Sequence, residues 1–501
     1  MILGMATSLS LTPLNFFFIN FISFPLFFLF LVKKLNQKRN LKLFFLYGWL
    51  FGFGFFLTNL YWISVSLTFD QNLKFLIPVT VILIPSFLAL FFGLISSLFM
   101  ILKTKNFISS FFIFSLIFGI VEFIRGSILT GFPWNLIAFS FVNQLELLTI
   151  TSIIGTYGFN LFCISLFTSP ALLFLRKSKK EVSIFISFII FLIFFYSHGH
   201  FYKKSFNKAE SQFYEYKIRI IGSDISLDRF YLDTYTLSII EDLIKLSNPK
   251  KDEKTIFVWP EGVLPNMSQV ELKQYSLLFN EKFNENHLLI IGTNNQYMND
   301  GFKDYFNSLS IFDNKLNLLN SYNKINLVPF GEFLPFEIIL NKIGLKPLTN
   351  KYQSFSKGES REIIEIKKKN FSLKILPLIC YEIIYSGKLF NNSDFDLIVN
   401  ISEDGWFGNS IGPKQHFAHS IYRAIESGKY VLRSSNNGIT AIINPLGVIE
   451  QQVNFNQSGY IDFIESKKLK ITLFSKYGNK IFVLIILLYI SLIFSFNRIK
   501  K

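Results

Sequence analysis

The sequence predicts a multi-span α-helical membrane domain joined to an α/β domain, and three observations carry that prediction. Its 501 residues include 63 Phe and have a mean hydropathy of +0.38. The apolar residues gather in roughly the first 200 positions and the last 25, in stretches near the ~20 residues that cross a bilayer core. Between them lies a long polar region in which short β-rich runs alternate with polar helical stretches.

The predicted spans are 15–32, 44–67, 78–101, 107–123, 147–175, 183–196 and 480–496. Residues 1–11 are short for a crossing and read as an eighth, incomplete span. No basic stretch precedes them and no cleavage site is evident, so they are not read as a removable signal peptide. The domains expected are 1–200 as an N-terminal membrane domain of six to seven spans, 201–476 as an extracytoplasmic catalytic domain, and 477–501 as a final span with a basic tail.

The formal charge of +16 would suggest nucleic acid in a soluble protein; here it follows the membrane. Basic residues cluster in alternate loops: Lys33, Lys34, Lys38, Arg39 and Lys42; Lys103 and Lys105; Arg176, Lys177, Lys179 and Lys180; Arg498, Lys500 and Lys501. The loops around Asp70 and over 126–146 are poor in Lys and Arg. This alternation is the positive-inside pattern. It puts residues 198–476 on the outer side, held between the sixth and seventh spans, and leaves no expectation of a nucleic-acid partner. Of two cysteines one, Cys163, falls in a span, so no disulfide is expected and a free Cys380 reads as reactive.

Within the polar region the runs 218–221, 255–258, 288–292, 308–312, 371–378, 397–401, 430–432 and 439–443 read as strands, mostly buried. Helical periodicity is clearest in Leu237, Ile240 and Ile244, and over 415–426 with a stop at Gly428. The mixture predicts one layered α/β domain.

Three segments carry chemistry. Cys380 ends the apolar run 371–380, Trp259-Pro260-Glu261-Gly262 closes the run 255–258, and Lys324 follows Tyr322-Asn323. A thiol attacks as thiolate and needs a base or a depressed pKa. Glu261 is placed to take the proton, and Lys324 to steady an oxyanion. The same residues also fit a surface ion pair and a small core thiol, and spacing alone leaves both readings open.

These segments resemble the signatures of the nitrilase-like carbon-nitrogen hydrolases: the Glu261 segment, the Lys324 segment with Leu327-Val328-Pro329-Phe330-Gly331-Glu332-Phe333-Leu334-Pro335, and Ile379-Cys380-Tyr381-Glu382. The spans, with Gly131-Phe132-Pro133-Trp134-Asn135, Gly405-Trp406-Phe407-Gly408, Gly412-Pro413-Lys414-Gln415-His416 and Arg423-Ala424-Ile425-Glu426, narrow the resemblance to the apolipoprotein N-acyltransferase family. It implies a four-layer α-β-β-α sandwich and eight spans, one more than the seven read above. It implies Glu261 as general base, Lys324 as oxyanion stabiliser and Cys380 as nucleophile, with Glu332, Tyr381 and Glu382 supporting them. It also implies acyl transfer from a phospholipid donor, through a Cys380 thioester, to the α-amino group of a diacylated lipoprotein, with no cofactor or metal, at the outer side of a bacterial inner membrane. Glu403 stands where the family usually has Asn.

Other residues are weighed more plainly. His416 and His419 read as helix packing, and Glu122 with Arg125 as a structural ion pair. Trp62 and Trp134 read as interfacial anchors, the Phe-rich spans as lipid-facing bulk, and Trp406 as core packing or part of a lid and substrate-binding loop. A membrane-tethered amidase and a non-enzymatic lipid scaffold are the competing functions.

Overall fold

The structure is a computed structural model that describes residues 1–37, 39–174, 178–231, 236–265, 267–299, 302–342, 346–349, 353–369, 371–389 and 393–498. Of the residues singled out above, Lys38, Arg176, Lys177, Lys500 and Lys501 lie outside this set. Among the described residues seven helical stretches are long and apolar enough to cross a membrane: Phe17–Gln37, Leu41–Thr68, Gln71–Leu102, Phe107–Arg125, Thr151–Phe174, Lys179–Lys208 and Lys480–Arg498. Each overlaps a predicted span, because a helix satisfies its own backbone where water is absent. The sixth runs on well past residue 196, started by a capping box in which Ser178 and Glu181 bond each other's backbone. The early helix Ile2–Ser8 has seven residues, about 10 Å at 1.5 Å per residue, and does not cross. It lies against the second span, where a Cβ on Gly4 would fall 1.9 Å from the Phe51 carbonyl oxygen.

Two expectations are overturned here. Phe24, Phe28, Phe55, Phe114, Phe118 and Phe159 are fully buried inside the bundle, so much of the aromatic bulk is core rather than lipid-facing. Trp62 and Trp134 are buried as well, their rings 4.9 Å apart. A buried indole N–H needs an acceptor. Gln415 of the polar domain supplies one oxygen to both, at 3.2 and 2.9 Å, while its own amide donates to the carbonyl of Thr12 at 3.2 Å. At the other end of the bundle Lys103 donates to Asn36 at 3.5 Å, and Asn106 to the carbonyl of Phe496 at 2.9 Å. The lysine-bearing loops and the polar domain therefore sit at opposite ends. Glu122 and Arg125 form a buried ion pair at 3.2 Å, joined by Asn160.

The polar domain contains, among the described residues, two six-stranded sheets. The first is built from β1 (Ser211–Gly222), β2 (Thr255–Val258), β3 (His287–Asn299), β4 (Phe302–Asp313), β5 (Leu318–Asn323) and, at its edge, β12 (Gly459–Lys467). The second holds β6 (Ile364–Lys368), β7 (Phe371–Ile379), β8 (Leu397–Glu403), β9 (Tyr430–Asn436), β10 (Thr440–Ile443) and β11 (Ile449–Val453). Their orders are β12-β1-β2-β3-β4-β5 and β11-β10-β9-β8-β7-β6, each with a parallel trio at its centre, β1-β2-β3 and β7-β8-β9. Side chains alternate as the pleat demands. Ile256, Val258, Leu288 and Ile290 belong to the larger core, whereas Phe257, Leu289 and Ile291 pack on Ile240, Leu243 and Ile244 of the helix Thr236–Ser247.

The helix Gly412–Ser427 lies between the second sheet and the fifth span and is buried along its length except at Lys414. It stops at Gly428, whose φ of 68° is the left-handed turn that favours glycine. Tyr422 donates to the carbonyl of Ala138 at 2.6 Å. Inside the fifth span Gly155 leaves helical geometry at φ 68°, and the Glu426 carboxylate accepts the freed amide of Thr156 at 2.7 Å. The same carboxylate pairs with buried Arg423 at 2.9 Å. Glu426→Ala removes a cap and strands a buried guanidinium, so it is expected to cost about 3–5 kcal/mol. Glu426→Gln, which keeps an acceptor, is expected to cost less. Thermal unfolding in detergent micelles compares the two.

Candidate active site

The site forms where strand ends from the two facing sheets meet. Glu261 follows β2, Lys324 follows β5, Cys380 follows β7, and Glu403 is the last residue of β8. Carboxyl ends of parallel strands leave such a crevice because the chain must turn away there. Lys324 donates to Glu261 at 3.3 Å and to Glu332 at 2.9 Å. Asn307 bridges the same two carboxylates at 2.7 Å each. The backbone amide of Glu403 donates to the second oxygen of Glu261 at 3.0 Å, and that of Val328 to Glu332 at 2.8 Å.

Cys380 sits at φ 47°, in the left-handed region that a side chain rarely adopts. Glu382 holds the turn. One of its oxygens accepts the amide of Ile379 at 3.0 Å, and the other takes Tyr322 at 2.7 Å, Arg361 at 2.6 Å and the amides of Ile325 and Asn326 at 3.0 and 3.1 Å. One carboxylate thus ties the strand that ends at Cys380 to the segment that carries Lys324. On the far side His416 Nε2 lies 3.3 Å from the Cys380 carbonyl, and its Nδ1 lies 2.9 Å from Asp404. Arg433 donates to both Asp404 oxygens, at 3.0 and 2.8 Å.

The charges follow from these partners. Burial acts to lower the Lys324 ammonium, but Glu261 and Glu332 outweigh it and hold it well above its ordinary range. Burial, with Glu261 adding to it, pushes the Cys380 thiol well up, against the pull of Lys324. Both effects favour the neutral thiol over the thiolate. Burial raises Glu332. Burial likewise acts to raise Glu382, but Arg361 and the Ile379 amide bring it below its ordinary range. Cys380, Asp404 and His416 offer ligand atoms within 4.8 Å of one another, yet Arg433 already occupies the carboxylate, a cation where a metal would need an anion.

Glu261, Lys324, Glu332, Cys380 and Glu382 are thus brought together, as is Tyr381, whose hydroxyl donates to the carbonyl of Gly131 at 3.0 Å and seats the 131–135 loop on the site. Trp406 is half-buried against Phe230 and Phe69, ring centroids 5.0 and 6.0 Å away, so it joins the loop to the polar-domain end of the second span. Sequence reasoning missed Asn307, Arg361 and Arg433, which carry no motif: Asn307 on β4 and Arg433 on β9 reach the site through strand pairing, and Arg361 reaches Glu382 from the segment before β6. His416 does more than pack its helix, whereas His419 lies against the rings of Trp134 and Phe139.

Residues 3–168 match the family model described as the apolipoprotein N-acyltransferase N-terminal domain, and residues 240–462 match that of carbon-nitrogen hydrolase. A protein of Rickettsia prowazekii named apolipoprotein N-acyltransferase is 32% identical, over 99% of this chain and 98% of its own. One of that name from Rhizobium leguminosarum is 30% identical over 92% and 88%. Among solved structures, an amidase of the nitrilase superfamily from Nesterenkonia aligns with 52% of this chain and 94% of its own, at 12% identity and a TM-score of 0.35, too remote to bear on activity.

The left-handed backbone at Cys380 yields a test. Cys380→Ala keeps a side chain in a region that costs roughly 1–2 kcal/mol, and Cys380→Gly does not. Both variants are expected to be inactive, with the glycine variant about 1 kcal/mol the more stable in thermal or denaturant unfolding.

Proposed function

The chain belongs to the apolipoprotein N-acyltransferase family, and from that premise we propose that Glu261, Lys324 and Cys380 carry an acyl chain from a phospholipid to a lipoprotein amine. The enzyme is an N-acyltransferase with a nitrilase-like α/β domain on a multi-pass membrane bundle. The observation that carries the residue assignment is the buried ammonium of Lys324, held against Glu261 beside a neutral thiol at a strand end.

In the first half-reaction Glu261 takes the Sγ proton as sulfur attacks an ester carbonyl of a glycerophospholipid. The Lys324 ammonium faces the oxyanion that develops. Collapse breaks the ester C–O bond, the lysophospholipid leaves with the proton held by Glu261, and the acyl chain remains on Cys380 as a thioester. In the second half the α-amino group of a diacylglyceryl-cysteine attacks the thioester carbonyl, Glu261 accepts the amine proton, and the C–S bond breaks to return the thiol. The thioester holds the acyl group in activated form, so no cofactor is needed. Exclusion of water decides between transfer and hydrolysis.

Both substrates are membrane-held, which suits a domain bonded to its bundle through Gln415, Tyr422 and Glu426. After Glu332 the chain exposes Phe336, Ile338 and Ile339, apolar surface suited to an acyl chain rather than to water. Lysine-rich loops at the opposite end favour a cytoplasmic location for those loops, and hence a catalytic domain on the periplasmic side of the inner membrane. Trp406, between the site and the second span, is assigned to substrate contact.

Intact mass of protein purified from membranes is expected to show an adduct of fatty-acyl mass that hydroxylamine removes and Cys380→Ala lacks. Glu261→Gln is expected to slow adduct formation by about 10²–10⁴-fold. Turnover of a small soluble amide with no acyl adduct would instead indicate a membrane-tethered amidase.

A further inference from the structure

Behind the catalytic base lies a second buried ion pair that this reaction does not use directly. Arg229 and Glu403 are 4% and 2% exposed, and their side chains bond each other. Arg229 Nε also donates to the carbonyl of Gly262 at 2.9 Å, and its Nη1 to the carbonyls of Ile225 and Ser226 at 2.8 and 2.6 Å. The Glu403 carboxylate further accepts Asn436 at 2.8 Å, the amide of Gly405 at 2.8 Å and Asn437 at 3.3 Å.

Both partners touch Glu261 through its surroundings. The amide of Glu403 donates to a Glu261 oxygen, and the carbonyl taken by Arg229 belongs to the next residue, Gly262, whose φ of 62° makes the turn. The base is gripped from its side chain by one member and from its backbone by the other. A carboxylate buried this close to a second carboxylate would ordinarily oppose ionisation of both, so Glu403 is tolerable only with a cation beside it. We infer that Arg229 and Glu403 are a positioning pair, holding Glu261 aimed at Cys380 and cancelling each other's charge so that neither leaves a net charge beside the base. Asparagine at position 403 would bring no charge to cancel; glutamate does, and Arg229 answers it. The inference rests on the reading of Glu261 as the base.

Among the described residues, the other charged or titratable groups facing Glu261 are Lys324, Glu332 (joined through Asn307) and Cys380. These are unchanged in the test, so shifts report the pair. Full-length protein is treated with hydroxylamine and returned to phosphatidylethanolamine and phosphatidylglycerol vesicles. Single-turnover acyl adduct on Cys380 is then followed by intact mass from pH 5 to 9. Arg229→Met leaves a lone negative charge by the base, so the acidic limb of the profile is expected to move up by about one pH unit or more. The optimum rate should fall by about tenfold or more from lost alignment. Glu403→Gln takes one negative charge away from beside the base, and its limb is expected to move down. The double variant should return the limb to the wild-type position, with thermal unfolding confirming that it folds. Limbs that stay put in both single variants, or move the same way, or fail to return in the double, overturn the inference. A wild-type protein that forms no adduct would instead overturn the thioester reading itself.

Discussion

An ammonium buried away from water persists only where carboxylates surround it, and Lys324 is such a group. It is 1% exposed, and its charge is shared by Glu261 and Glu332. That requirement organises the rest of the site. The two carboxylates need their own donors, found in Asn307 and in the amides of Glu403 and Val328. Asn307 lies on β4 of the first sheet and Glu403 on β8 of the second, with Val328 in the segment after β5, so the network closes only when the sheets face each other in register. Cys380, at the end of β7, then meets a field that Lys324 and Glu261 pull in opposite directions. The balance favours the neutral thiol.

A second constraint comes from the membrane. In a free-standing sandwich the outer face of the helix Gly412–Ser427 would meet water; here it meets the fifth span. Its polar residues are consequently spent on the bundle: Gln415 on two tryptophans, Arg423 and Glu426 on the break at Gly155. The same helix places His416 beside the Cys380 carbonyl.

The four strands that the sequence left unread, β5, β6, β11 and β12, are the four sheet edges. An edge strand is exposed on one side and carries polar residues along its length, as in Ile449–Val453 and Leu318–Asn323, so no continuous apolar run marks it. The eight that were read are the interior strands, where burial on both faces leaves β-branched and apolar runs. The misreading of Trp62 and Trp134 has a related cause. A tryptophan near a span end carries the same local signal whether lipid or protein lies beyond it, and here the neighbour is Gln415, some 350 residues away in sequence for Trp62.

By itself the sequence determined the partition into apolar spans and a polar α/β region, the alternation of basic loops, the interior strands, and the three segments that carry Glu261, Lys324 and Cys380. These are local properties: run length, charge and residue type survive without knowledge of any contact. Tertiary structure decided which face of each element is buried, and therefore that much of the phenylalanine is core, that Glu426 caps a broken span, and that Asn307, Arg361, Arg433 and the Arg229–Glu403 pair belong to the site. Such groups act through distance and desolvation, and both exist only once separate strands and helices have been brought together.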